Sequence, residues 1–311
     1  MRVLITGGSG LIGRALIPEL RAHDHEVLVL SRHPQKAGAR PEEVSVIQWD
    51  AHTPTGWAHV LESADAVINL AGENIGSGLW TEAKKVRIVE SRENAGHAVT
   101  EAIAMAKRKP GVLLQASGTG YYGTDRTESL DETAPAGKDW LAGVGVRWES
   151  STEPVERYGV RRVLLRSGPV LSRRGGVLPR MMLPFKVFVG GRIGSGNQVI
   201  SWIHIQDEAR AIRFLLETPE AQGPFNLSAP NPVTNAEFGR TLASVMRRPF
   251  WFPVPGFALR LALGEMATLI LDGQRAVPRG LSNLGFEFRY PRLRQALEDL
   301  LTTPATVGGE R

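Results

Sequence analysis

The chain has 311 residues, a net charge of +5 and a pI near 9.7, with 42% hydrophobic and 22% charged residues. These are values of a soluble globular protein of one large or two moderate domains. It contains no cysteine, which excludes a disulfide framework, a thiolate metal site and a cysteine nucleophile. Its seven histidines are scattered without a His-x-x-x-His pair, which argues against a metal hydrolase. The basic residues form mere pairs, such as Arg161-Arg162, Arg173-Arg174 and Arg247-Arg248. Such a surface suits an anionic cofactor, and no nucleic-acid-binding motif accompanies it.

Val3, Leu4 and Ile5 form a short apolar run that reads as a buried strand. Thr6 to Gly10 is too rich in glycine for strand or helix. From Leu11 the apolar residues recur at helical spacing through Ile12, Ala15, Leu16 and Leu20. Gly8-Ser9-Gly10-Leu11-Ile12-Gly13 fits G-x-G-x-x-G, and Gly7, Gly10 and Gly13 fit the wider T-G-x-x-G-x-x-G. Between a strand and a helix, this turn is a dinucleotide-binding signature. Its cofactor-binding residues are Gly7, Ser9, Gly10, Leu11, Ile12 and Gly13. Gly10 is expected to let backbone approach a pyrophosphate, Gly13 to let the helix lie close to the strand, and the helix N–H groups to face the phosphates.

The second strand, Glu26 to Leu30, ends in Ser31-Arg32-His33. NAD-binding chains usually carry an Asp or Glu there to hold the ribose 2′-hydroxyl. Here Ser31 and Arg32 stand instead, and an arginine pairs with a 2′-phosphate, so the residues predict NADP(H). A third strand, Val44 to Gln48, ends at Asp50, which is placed either near the adenine or as a turn cap. A short helix around Trp57 to Glu62 leads to a fourth strand, Ala66 to Leu70. The small residues after it, Leu70, Ala71 and Gly72, let backbone pass close to a ribose.

A long helix is predicted from about Thr81 to Lys107, with Lys84 and Arg92 early on it. The fifth strand, Val112 to Ala116, runs into Ser117-Gly-Thr-Gly-Tyr-Tyr-Gly123 and a polar loop to Gly137. A helix over about Trp140 to Arg157 and a sixth strand, Val160 to Leu165, follow. This alternation predicts an α/β fold, a doubly wound parallel sheet of Rossmann type. Beyond it the rhythm breaks. Gly175 to Gly196 is rich in Gly, Pro, Met and Phe, and Gly190 to Gly196 reads as a substrate-pocket lining, an anion site or a plain turn. A helix is expected to end at Glu217, and Phe225 to Ser228 to be a last strand. Thr234-Asn-Ala-Glu237 has capping-box spacing for a helix to about Met246. Trp251 to Pro255 is extended, an apolar helix spans about Phe257 to Leu271, and a final helix runs from near Pro291 to Leu301. The domain reading is a Rossmann domain over residues 1–229, with 168–200 contributing to a substrate cleft. A small, mostly α C-terminal substrate domain over 230–301 and a frayed tail over 302–311 complete it. The chain enters its first strand directly, and Phe257 to Leu271 is too short to span a bilayer, so the expectation is a cytoplasmic protein with no membrane partner.

Together these motifs resemble the extended branch of the short-chain dehydrogenase/reductase superfamily. Within it the chain resembles the atypical "epimerase family" proteins, often labelled nucleoside-diphosphate-sugar epimerases. Asn69-Leu-Ala-Gly-Glu-Asn-Ile75, Ser91-Arg92, Gly120-Tyr-Tyr-Gly123, Trp148-Glu149, Arg166-Ser-Gly168, Ser201-Trp-Ile-His-Ile205 and Gly273-Gln-Arg275 carry the likeness. The resemblance covers almost the whole chain. It implies that Ser31-Arg32, Leu70-Ala71, Arg92 and the backbone near Val170 contact NADP(H).

Members of the superfamily use a Ser or Thr, a Tyr and a Lys for proton transfer beside the nicotinamide. Ser117 fits the first. The Tyr-x-x-x-Lys is absent: its expected positions fall near Leu141 and Gly145. Tyr121 and Tyr122, near Ser117 in sequence, are the replacement candidates, with Glu73, Lys84 and His204 behind them. Each has a structural alternative: a packed ring, a cap, or a bridge between backbone groups. The function expected is an NADP(H)-dependent oxidoreductase or epimerase acting on a small polar molecule, sugar derivatives included. The rival is a non-catalytic NADP(H)-binding sensor or scaffold, which would also keep cofactor motifs and lose the Tyr and Lys.

Overall fold

A computed structural model of the chain describes residues 1–36, 44–124 and 126–302. Its centre is a seven-stranded sheet. Five strands come from the first part of the chain: β1 (Arg2–Thr6), β2 (Glu26–Ser31), β3 (Ser45–Gln48), β4 (Ala66–Asn69) and β5 (Val112–Gly118). Arg161–Ser167 and Gly223–Leu227 extend it beyond β5. The order runs Gly223–Leu227, Arg161–Ser167, β5, β4, β1, β2, β3. Every neighbouring pair is parallel. The order reverses between β1 and β4, where open α/β sheets form their ligand crevice at the strands' carboxyl ends.

Both faces of the sheet are covered, which is why its strands read as unbroken apolar runs. Val3, Ile5, Ile68, Leu114 and Leu165 point to one face. There they meet α1 (Leu11–Arg21) through Leu16 and Leu20, and α5 (Ile205–Glu217) through Ala209, Ile212 and Leu216. Leu4, Leu28, Val67 and Leu113 point to the other face, against Ala95, Ala98, Val99, Ala102 and Ile103 of α2 (Glu82–Met105). Thr81 begins α2 by accepting a hydrogen bond from the Lys84 N–H. A third core, around Trp202, Phe238, Leu242 and Leu297, joins α4 (Leu178–Lys186), α6 (Asn235–Met246) and the helix Leu293–Thr302. The capping box read at Thr234 and Glu237 is present.

Several expected boundaries shift. The helix predicted to reach Arg157 stops as α3 at Trp140–Ser150, and a 3-10 segment, Glu153–Tyr158, follows. Pro154 has no N–H to continue the ladder. The apolar stretch after Phe257 breaks into α7 (Gly256–Leu263), a 3-10 turn and a last turn, Thr268–Leu271. Gly264 breaks it with a φ of 56°. The polar loop before Gly137 holds a strand, Arg126–Leu130, which pairs in parallel with Gln274–Ala276. The Gly175 to Gly196 stretch contains α4, which its prolines and glycines concealed. The last sheet strand starts at Gly223 rather than Phe225. The final helix begins at Leu293, and of the expected tail residues 303–311 lie outside the described residues.

A buried polar chain crosses three strands at their carboxyl ends. The Thr6 hydroxyl donates to Asn69 Oδ1 (2.5 Å), and Asn69 Nδ2 donates to Gln115 Oε1 (2.8 Å). Gln115 Nε2 donates to the Ala116 carbonyl (2.8 Å). All three side chains are wholly buried. Asn69→Leu keeps the volume but leaves Thr6 and Gln115 short of a partner. It should cost about 2–3 kcal/mol of stability, read by urea denaturation.

Candidate functional site

The crevice begins at the turn between β1 and α1. Gly7 has a φ of 68°, and a Cβ there would stand 2.8 Å from the Leu70 carbonyl carbon and oxygen. Gly7 is therefore required twice, by its conformation and by the approach of the chain leaving β4. The Ala71 N–H donates to Thr6 Oγ1 (3.2 Å), which fixes that approach. Gly10 donates to the Gly7 carbonyl (2.9 Å) and stands at the N-cap of α1. No side chain caps this helix and no acidic residue lies in its first turn. The first-turn N–H groups of Leu11, Ile12 and Gly13 thus form a positive helix end suited to phosphate. The close packing expected of Gly13 is present, but its neighbour differs. A Cβ there would lie 2.6 Å from Gly8 Cα, so Gly13 seats the helix on the turn itself. Gly8 meets the strand, with Val29 Cγ1 2.8 Å from where its Cβ would be. Ser9 closes the turn, its carbonyl accepting from Arg14 Nε (2.8 Å).

At the end of β2, Arg32 and His33 border an open groove of about 830 Å³, with Gln48, Trp49 and Asp50 on its other wall. Arg32 is exposed. The Ser31 hydroxyl accepts from the His33 N–H (3.2 Å) and shapes this corner. Of the two roles read for Asp50, the cap is realised. Its Oδ1 accepts from the N–H groups of His52 and Thr53, both at 2.8 Å, and its Oδ2 from the Thr53 hydroxyl. The two backbone N–H groups hold its carboxyl down at about 2.

Past β4, Leu70, Ala71 and Gly72 lie on the Gly7 side of the crevice. Gly72 rests on Arg92: a Cβ would stand 3.3 Å from the arginine Cγ and Cζ. Arg92 is buried, donates from Nη1 to the carbonyls of Glu73 (3.0 Å) and Ile88 (2.9 Å), and stacks 4.5 Å from the Trp148 ring centroid. Burial lowers its pKa to about 10, so it remains a cation. Arg92 thus supports the segment from beneath. Glu73 is ion-paired with the buried Lys84, whose Nζ also donates to Ser77 Oγ (3.1 Å). The Lys84 contact holds the Glu73 carboxyl below its ordinary range. Val170 pairs beside Ile203, and its hairpin folds onto α1, with Gly176 against Leu11.

The residues expected to move protons are engaged elsewhere. Ser117 is buried and donates to Glu149 Oε1 (2.7 Å). Glu149 takes Arg166 in a two-pronged pair, Nε to Oε1 at 2.9 Å and Nη2 to Oε2 at 3.0 Å. Burial opposes the Arg166 charge, but Glu149 more than offsets it and raises the guanidinium pKa. Tyr121 lays its ring over Arg166, 3.5 Å from centroid to Cζ. It lines a small cavity of about 150 Å³ with Glu149, Glu153 and Arg162. Tyr122 is wholly buried and donates to Asn226 Oδ1 (2.7 Å), and burial raises its pKa. The expected Tyr-x-x-x-Lys positions are filled by packing. A Cβ on Gly145 would come 3.1 Å from Tyr121 Cα, and Leu141 meets Gly120. His204 caps α5, its Nδ1 accepting from the Gln206 N–H (3.1 Å). Its Nε2 lies 3.2 Å from Asp299 Oδ2 without the alignment of a hydrogen bond, and burial lowers its pKa. Gly190 to Gly196 is a crossing point: a Cβ on Gly191 would fall 1.8 Å from the Phe252 carbonyl oxygen.

In the sequence Glu149 and Arg166 stand in motifs that carry the likeness but have no role of their own. The signal was available. Ser117 and Arg166 are in register on neighbouring strands, so both side chains share one face. The Gln48–Trp49 wall of the groove has no sequence signal, nor has Thr119, whose Oγ1 accepts from Gln274 Nε2 (2.9 Å).

A strand, glycine turn and uncapped helix at the switch point of a parallel sheet define a dinucleotide-binding protein of the short-chain dehydrogenase/epimerase class. The chain belongs to the NAD-dependent epimerase/dehydratase family, whose description matches residues 3–228, and residues 254–300 match a domain of unknown function. "Epimerase family protein YfhF" of Bacillus subtilis is 40% identical over 310 residues, 99% of this chain and 100% of that protein. The human epimerase family protein SDR39U1, solved with NADPH, is 33% identical with a TM-score of 0.87, covering 98% of this chain and 100% of that one. A nucleoside-diphosphate sugar epimerase from Corynebacterium glutamicum is 33% identical with a TM-score of 0.77, over 97% of this chain and 58% of that one.

One group near the crevice gives the fold a pH dependence. Glu208, in the first turn of α5, is wholly buried and accepts from the Ser167 hydroxyl (2.6 Å). Its Oε2 has no hydrogen-bond partner among the described residues, and burial pushes its pKa from 4.5 up to about 8. The folded chain keeps this proton where the unfolded chain has lost it. Its contribution is therefore full below about pH 4.5 and is lost as the pH rises toward 8. Denaturant titrations across this window should show wild type losing stability relative to Glu208→Gln.

Proposed function

We propose that the protein binds NADP(H) in preference to NAD(H) and acts as an oxidoreductase or epimerase on a small polar, sugar-like substrate. The observation that carries the cofactor preference is the corner after β2. Arg32 is exposed beside the groove and no carboxylate ends the strand, while the acid that lines the groove, Asp50, is tied to its own turn. The human relative solved with NADPH supports the same reading. The residues fit the group: Gly7 and Gly10 clear a path for a pyrophosphate, the α1 N–H groups meet its charge, and Leu70 to Gly72 offer backbone to a ribose. Bound NADP(H) would supply the hydride. Arg32 would hold the 2′-phosphate, and Arg92 would keep the Gly72–Glu73 backbone in position.

A second reading, a non-catalytic NADP(H)-binding sensor, is favoured by one specific observation. The Ser117 hydroxyl is donated to Glu149, and the Tyr-x-x-x-Lys positions are packed against Gly120 and Tyr121. For the enzyme reading, a substrate oxygen would have to draw its proton from Ser117 by loosening that bond, or from Tyr121.

Calorimetric titration tests the cofactor. NADPH should bind tighter than NADH, and Arg32→Ala should remove the preference, a loss of about tenfold or more for one charged phosphate contact. Equal affinities in wild type would refute it. NADPH oxidation followed over a panel of carbonyl compounds, sugar aldehydes and ketones included, then separates the readings. Because an epimerase returns the hydride and oxidises no NADPH net, the NADP⁺-loaded protein is also assayed for interconversion of sugar epimers; either turnover, falling in Ser117→Ala while cofactor binding is kept, supports the enzyme, and binding with neither turnover supports the sensor.

A further inference from the structure

We propose that the face formed by the end of α4, the segment after it and α7 docks on the surface of an anionic lipid bilayer. α7 buries none of its residues. Phe257 and Leu261, one turn apart on it, are 76% and 88% exposed. Trp251 is 65% exposed, and Phe252, Val187 and Phe188 are exposed beside it. These segments lie side by side, and Val254, two residues before α7, bridges Ile193. Trp251 Nε1 donates to the Phe188 carbonyl (2.8 Å), and the N–H groups of Trp251 and Phe252 both reach the Gly190 carbonyl. Isolated apolar residues on a surface need no explanation, whereas a joined group of aromatic and aliphatic side chains marks an interaction site.

The charge around this group selects the partner. Between Glu156 and Asp207 the sequence contains no acidic residue, nor does it between Glu237 and Glu265. The two stretches supply Lys186, Arg192, Arg247 and Arg248, all exposed; Arg260 is exposed as well and lies 3.5 Å from Asp272. Arg248 covers the Phe188 ring at 4.5 Å. A second copy of the chain would set these cations against each other. A bilayer interface offers both an acyl boundary for Phe257, Leu261 and Trp251 and anionic headgroups for the basic rim. The chain has no helix, among the described residues, long and apolar enough to cross a membrane. The contact is therefore peripheral and reversible, and it departs from the expectation of no membrane partner, which considered spanning and secretion rather than surface contact.

The test is flotation of the full chain with vesicles of phosphatidylcholine, and of phosphatidylcholine mixed with phosphatidylglycerol. Binding is expected to the mixed vesicles only and to fall with added salt. Phe257→Ser with Leu261→Ser, and separately Lys186→Glu with Arg192→Glu, should each weaken it by about tenfold. Unchanged melting temperature and NADPH titration show that these variants are folded, and they keep this result separate from the cofactor reading. No flotation, equal flotation on neutral vesicles, or full binding by Phe257→Ser with Leu261→Ser overturns the proposal. A concentration-dependent dimer abolished by that variant, without vesicle binding, overturns it in favour of a second copy.

Discussion

The crevice depends on a constraint at its floor, the buried chain from Thr6 through Asn69 to Gln115. Polar groups removed from water must find partners; here Thr6, Asn69 and Gln115 find them across neighbouring strands, and Gln115 also on its own strand. The chain therefore fixes how β1, β4 and β5 end relative to one another. Thr6 also receives the Ala71 N–H, so the segment leaving β4 is drawn against Gly7. The glycine turn then has one shape open to it. Its side-chain-free surface and the uncapped end of α1 follow from a hydrogen-bond network that touches no ligand.

A second buried network, Ser117–Glu149–Arg166 with the two tyrosines, occupies the neighbouring region where related enzymes exchange protons. A buried ion pair is costly unless its remaining hydrogen-bonding capacity is met, and here it is met almost fully. Arg166 also donates to the Tyr122 hydroxyl (3.1 Å), while Ser117 completes one oxygen of Glu149. Such a network resists rearrangement, because breaking one member leaves a buried charge.

The parallel sheet, the glycine turn, α2 and the capping box at Thr234 were legible because each is a local pattern with one dominant physical cause. The apolar runs of β1 and β4 are buried on both faces, and their shortness between turn signals shows this. Arg32 was legible for a similar reason, since its place at the end of β2 is fixed by counting from the glycines. What was not legible depends on distant partners. Arg126–Leu130 is too polar to read as a strand, and it becomes one because Gln274–Ala276 lies beside it. Glu149 stood in the Trp148-Glu149 motif without a role, because its partners Arg166 and Ser117 come from distant strands. Leu141 and Gly145 showed that a proton donor was missing, but not that the space had been closed by backbone packing against Gly120 and Tyr121.

The pairing of Arg126–Leu130 with Gln274–Ala276 bears on the independence of the C-terminal part. Ser201 clamps the same strip from the other side, accepting the Ala276 N–H and donating to the Gln274 carbonyl, while Gln274 holds Thr119 at the end of β5. A chain cut before this strip would leave an open strand edge and unpaired polar groups beside the crevice. The small C-terminal region is thus no detachable attachment. Grafting it onto another Rossmann core would require carrying residues 119, 126–130 and 201 with it, so the cofactor half and the C-terminal half are free to vary only together.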